Sequence, residues 1–87
     1  YVIVDARTSE EFNEGHIKNA INLDYEEVTQ KAESLLPDKN QLILIYCRSG
    51  RRSKIAAESL CQLGYTNVKE FGGIIDWQYE VVQDDAQ

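Results

Sequence analysis

The densest chemistry in this chain lies in one stretch, Cys47-Arg48-Ser49-Gly50-Arg51-Arg52-Ser53. It follows the apolar run Leu42-Ile43-Leu44-Ile45-Tyr46 and precedes a helical stripe of Ile55, Ala56, Ala57, Leu60 and Leu63. Cys47 is thereby predicted at the carboxyl end of a strand, in the loop that enters a helix. Backbone N–H groups converge in such a loop, and the helix start adds partial positive charge. Both favour an anion at the loop centre. A thiol there can fall from its ordinary pKa of about 8.5 into the range of about 3.5–7.5, and the thiolate is the nucleophile. Arg48, Arg51, Arg52 and Lys54 are four of the nine basic residues, in a chain whose net charge is −6. Positive charge gathered around one thiol in an acidic chain suits a small anionic substrate. Gly50 lets the backbone turn tightly with no Cβ in the way. The plainer alternative is a buried structural thiol beside a solvated helix start. No His adjoins the loop, so the chemistry rests on the loop's own field and not on a Cys–His pair.

The elements that must hold this loop read as an α/β domain. Val2-Ile3-Val4 is a β-branched run and is predicted as a buried strand. Thr8 and Glu11 stand at capping-box spacing, so a short helix should start there and stop near Gly15, a natural helix-ending residue. Ala20 to Leu23 is a weaker strand. Asp24 can cap a helix whose apolar positions are Val28, Ala32, Leu35 and Leu36. Pro37 to Asn40 is a turn. The run from Leu42 to Tyr46 does not alternate, so both its faces should be covered, as in a parallel sheet under helices. The next helix ends at Gly64. Asn67 to Phe71 is a further strand, broken by Gly72-Gly73. Ile74 to Val82 is predicted as a last helix carrying Trp77, and Gln83 to Gln87 as a frayed acidic tail. Strand and helix alternate four times, which indicates a central parallel sheet with right-handed crossovers.

Composition bounds the function. Eighty-seven residues, 43% of them hydrophobic, make one small domain with one modest core, predicted over residues 1–82. Two Cys and one His fall short of the four ligands of a structural zinc site, so no metal is expected. Cys47 and Cys61 form no Cys-x-x-Cys pair and no disulfide framework. An acidic chain is a poor partner for nucleic acid or anionic lipid. No apolar run approaches the roughly 20 residues that span a membrane. No secretory leader is visible, which favours a cytoplasmic setting. The chain has no Met, so Tyr1 is not a translation start, and a leader could have been removed with an upstream segment.

Four blocks, in order, resemble the rhodanese family of sulfurtransferases. They are Val2 to Arg7, with Asp5-Ala6-Arg7 closing a strand; Glu11-Phe12-Asn13-Glu14-Gly15-His16-Ile17; Cys47 to Ser53; and Gly72-Gly73-Ile74-Ile75-Asp76-Trp77. The resemblance implies a three-layer α/β/α domain around a parallel sheet, here lacking the family's first strand and helix. It implies that Cys47 takes a sulfane sulfur from a small anionic donor such as thiosulfate, holds it as a persulfide and passes it to cyanide or a thiol. Arg48, Ser49, Gly50, Arg51 and Arg52 would bind the substrate, and no cofactor is implied. Lys18-Asn19 stands where the family often has Pro-Gly, which should alter only a surface turn. Phosphatases and arsenate reductases of the same fold place five residues between Cys and Arg. Here four separate Cys47 from Arg52, one too few to cradle a tetrahedral oxyanion over the thiolate. A regulatory docking module is the other alternative, and it would typically lack the Cys.

The remaining polar residues read as structural. His16 is expected to bond backbone at a helix end, and Trp77 to sit in the core. Asp5 should hold a loop through an arginine. Arg52, at a helix start where positive charge is unfavourable by about 0.3–1 kcal/mol, should need a carboxylate partner, Asp5 or Glu70. That leaves Arg48 and Arg51 for the substrate. Cys61 is expected to be structural, with a redox partnership to Cys47 the lesser alternative.

Overall fold

A strand rich in β-branched residues and flanked by covered faces should sit mid-sheet, and β1 (Val2–Asp5) does. The computed structural model describes residues 1–74 and 81–82. On one side β1 pairs with β3 (Ile21–Asn22) and on the other with β4 (Ile43–Cys47). The outer strand β5 (Val68–Gly73) pairs with β4, giving the order β3-β1-β4-β5 with every pair parallel. Helices flank this sheet. Four of the five residues of β4 are buried, as its unbroken apolar run requires.

Among the described residues, three α-helices cover the strands. In α1 (Ser9–Glu14), Thr8 and Glu11 complete the capping box in both directions. Asp24 caps a 3-10 turn (Tyr25–Glu27), accepting from Glu26 N at 3.0 Å, and this turn leads into α2 (Val28–Leu35). The predicted helix is therefore split in its pitch. Of its predicted apolar positions, Val28, Ala32 and Leu36 are buried, while Leu35 faces out at 40% exposure. The helix behind the loop, α3 (Arg51–Gln62), packs on β4 and β5 and against α2. It buries Ala56 and Leu60 and leaves Ile55 exposed. The core runs between them, from Val4, Ile43 and Ile45 of the sheet to Ala32, Ala56 and Leu60 of the helices. Among the described residues, no helix is long and apolar enough to cross a membrane.

Three expectations change. Gly72-Gly73 does not break β5 but continues it, with Gly73 opposite Cys47. The predicted last helix does not reach Val82: Val81–Val82 form β6, antiparallel to β2 (His16–Ile17). Two adjacent β-branched residues fit an extended ladder better than a helix, and the pairing satisfies backbone groups of both segments. Residues 75–80, with Trp77, and residues 83–87 lie outside the described residues. Finally, Gly15 follows α1 in extended backbone, not in a left-handed turn. Its lack of a side chain serves the β2–β6 ribbon, since a Cβ there would lie 3.0 Å from Val81 Cγ1.

Candidate active site

β4 delivers Cys47 to the carboxyl edge of the sheet, where the thiol is 1% exposed. The chain then turns through Arg48, Ser49 and Gly50 into α3. Gly50 occupies the N-cap with φ 110°, a left-handed conformation that other residues adopt only under strain. It offers no side chain to cap the helix. Its own N–H donates to Cys47 Sγ at 3.0 Å. Burial disfavours the thiolate. The Ser53 hydroxyl and the N–H groups of Ser53, Gly50 and Ser49 favour it, and the balance holds the thiol below its ordinary pKa. The Cys47 thiol is thus shifted toward its ionised form by donors from its own loop, with no imidazole among them.

β5 forms the floor of this loop. Cys47 lies opposite Gly73 and Ile45 opposite Glu70, so β5 carries one more residue than β4 over this span, a bulge. Glu70 Oε2 closes the bulge by accepting from Gly72 N at 2.6 Å, and it also accepts from Ser53 Oγ at 2.8 Å. Gly73 lies against the loop backbone itself. A Cβ on Gly73 would stand 2.1 Å from Arg48 O and 2.6 Å from Ser49 Cα. Only a glycine allows the loop to rest there.

The predicted substrate-binding residues divide by exposure. Arg48, Ser49 and Arg51 are exposed, whereas Gly50 is buried and Arg52 half-buried. Arg52 does have a carboxylate partner, but neither of the two predicted ones. It forks onto Glu11 of α1, Nη1 to Oε1 at 2.7 Å and Nη2 to Oε2 at 3.0 Å. The Arg52 guanidinium, against the opposing effect of burial and helped by Thr8, holds the Glu11 carboxyl down at about 2.

Asp5 is engaged elsewhere. Fully buried, it receives Arg7 through Nε at 3.0 Å and Nη2 at 2.7 Å, and the Tyr46 hydroxyl at 2.7 Å. Tyr46 in turn accepts from Ile17 N at 3.0 Å, and Arg7 Nη2 donates to Gly15 O at 2.6 Å. Asp5 therefore ties β1 and β4 to the β2 segment, through Arg7 and not Arg52. His16 is structural, as predicted: its Nδ1 lies 2.8 Å from Phe12 O, and its ring stacks on Phe12 at 3.7 Å. Cys61 is an exposed free thiol, not a buried structural one. Ten residues along α3 from the loop place it about 15 Å away, so it cannot pair with Cys47.

A cavity of about 690 Å³ opens between α1 and α2, lined by Thr8, Asp24, Glu27 and Lys31 among others. None of residues 47–53 lines it. Sequence reasoning missed Glu11 as the partner of Arg52, and Gly73 as the loop's floor. The paired glycines were the available signal for the second, and nothing in the sequence marked the first.

A family model described as the rhodanese-like domain matches residues 1–80. Thiosulfate sulfurtransferase PspE of Escherichia coli is 38% identical over 73 residues, covering 84% of this chain and 70% of that protein. Adenylyltransferase and sulfurtransferase UBA4 of Candida albicans is 35% identical over an alignment of 88 positions that covers 93% of this chain and only 20% of that longer relative. Among solved structures, a rhodanese with anions from E. coli matches with a TM-score of 0.88 at 35% identity, over 95% of this chain and 98% of that one.

Proposed function

This chain belongs to the rhodanese-like domain family, and from that premise we propose that it moves a sulfane sulfur from a donor such as thiosulfate to cyanide or a thiol through a persulfide on Cys47. The Cys47 thiolate attacks the outer sulfur of thiosulfate. The Sγ–S bond forms, the sulfur–sulfur bond of the donor breaks, and sulfite leaves with the bonding pair. The acceptor's nucleophilic atom then attacks the outer sulfur of the persulfide. With cyanide the product is thiocyanate, and the thiolate returns unchanged.

The observation that carries this reading is the seat of the sulfur. Gly50 N–H lies 3.0 Å from Sγ, in a loop whose other donors also favour negative charge. Those donors can follow the charge as it moves to the outer sulfur, which is the kind of preorganised stabilisation that lowers a barrier. Arg48 and Arg51 are exposed at the rim, where a dianionic donor must approach an acidic protein. The test is thiocyanate formation from thiosulfate and cyanide. Wild type should form it and Cys47→Ser should not. A wild type inert with every sulfane donor would leave the regulatory docking module as the better reading.

A further inference from the structure

Two glycines meet at the loop. Gly50 and Gly72 both stand in left-handed backbone, at φ 110° and 102°. A Cβ on Gly50 would lie 3.6 Å from Gly72 Cα and 3.7 Å from Glu70 Oε2, so the start of α3 rests on the bulge of β5. Glycine gives up more conformational freedom on folding than any other residue. A contact between two of them keeps its shape only if something outside it does the holding. Glu70 is placed to do so. Its Oε2 accepts from Gly72 N at 2.6 Å and from Ser53 Oγ at 2.8 Å. Ser53 is fully buried on the first turn of α3, and its Oγ also lies 3.0 Å from Gly50 O. One carboxylate oxygen therefore ties the bulge to the helix start, with Gly50 between them. Hydrogen bonds to an ionised acceptor are roughly twice as strong as those to a neutral one.

We propose that Glu70 is a positioning residue for Cys47: its carboxylate pins the bulge of β5 to the first turn of α3 and so holds the Gly50 N–H on Sγ, at 3.0 Å. Without that tie, Gly72 and the helix start can shift against each other, and the Gly50 N–H spends less time on the sulfur. The thiolate then loses a donor, and the thiol titrates higher. The proposal rests on Cys47 being the reactive thiol of the sulfur-transfer reading. Its test measures ionisation alone, so either can fail without the other.

Two other roles for Glu70 give different results. A carboxylate that only stabilises the fold would change the melting temperature and leave the titration of Cys47 alone. A carboxylate that acts chiefly as a negative charge near the thiol would oppose the thiolate, and its removal would lower the midpoint. Positioning has the opposite sign. The other charged groups on the loop, the first turn of α3 and β5 are Arg48, Arg51, Arg52, Lys54 and Lys69. Glu11 of α1 is paired with Arg52, which lies near Tyr25 of the 3-10 turn, and Asp5 of β1 is paired with Arg7. Variants at Glu70 leave all of them in place.

The experiment is the alkylation rate of Cys47 by iodoacetamide against pH, with the exposed Cys61 as internal reference. In Glu70→Ala the Cys47 midpoint should rise, and alkylation below the wild-type midpoint should run several-fold slower. Glu70→Gln keeps an oxygen that can accept from both Gly72 and Ser53, so its midpoint should stay at or below the wild-type value. Glu70→Asp is one methylene too short to reach both donors. Its midpoint should also rise, and it serves if the alanine variant fails to fold. An unchanged or lowered midpoint in Glu70→Ala, or in Glu70→Asp in its place, would overturn the proposal. So would a rise in Glu70→Gln as large as that in the shortened variants, because the amide keeps the reach that positioning requires.

Discussion

Glu11→Gln is a clean probe of the ion pair that anchors the start of α3. Glutamine still serves at the third position of a capping box, so the Thr8 cap survives while the charge opposite Arg52 is lost. The carboxyl falls from 4.5 to about 2 in the folded chain, with Arg52 the largest cause. At about 1.4 kcal/mol per pKa unit, the full shift would correspond to about 3 kcal/mol. The Glu11 side chain is 30% exposed and that of Arg52 18%, so solvent screening reduces this to about 1–2 kcal/mol. For a domain of this size that is a melting temperature about 5–12 °C lower at pH 7. A carboxyl whose pKa is depressed by folding stabilises fully above its unfolded value and loses that contribution as pH falls through the folded one. The gap between wild type and variant should therefore be complete at pH 7 and less than half as large at pH 3. Calorimetric or fluorescence melting across that range measures it. Equal melting at pH 7, or a gap undiminished at pH 3, would refute the reasoning.

Three further outcomes follow from the same geometry. Arg48→Ala and Arg51→Ala should each raise the Michaelis constant for thiosulfate with little change in melting, an effect that shrinks in high salt; Arg52→Ala should instead melt lower, and equal behaviour of all three would contradict the division. Gly73→Ala places a Cβ 2.1 Å from Arg48 O, so it should displace the loop, lower stability by about 1–3 kcal/mol and slow alkylation of Cys47; a wild-type alkylation profile would show that the loop does not depend on that contact. Aryl phosphates should be hydrolysed negligibly, because the loop is one residue short for a tetrahedral oxyanion; robust hydrolysis lost in Cys47→Ser would sink the loop-length argument.

The parts of the molecule legible in the sequence are those whose physics is local. The Leu42–Tyr46 run announced a strand covered on both faces, and Ile43–Cys47 is one. Thr8 and Glu11 announced a helix start, and both capping bonds form. The loop's donors follow from a strand end, a glycine and a helix start in succession. What the sequence hid was set by distant encounters. Arg52 visibly needed a carboxylate, but Glu11 lies 41 positions away and already had a local role in its cap. Val81 and Val82 continued an apolar helical stripe, and only the unpaired backbone of His16–Ile17 gave them a reason to extend. Gly72-Gly73 looked like a break because close approach to Arg48 and Ser49 leaves no local trace.

The central claim is that Cys47 accepts a sulfur atom. Intact-protein mass spectrometry after thiosulfate treatment tests it most directly. The mass should rise by one sulfur, fall back on addition of cyanide, and stay constant in Cys47→Ser. A wild-type mass unmoved by thiosulfate or any other sulfane donor, or a gain that survives in Cys47→Ser, would contradict the account.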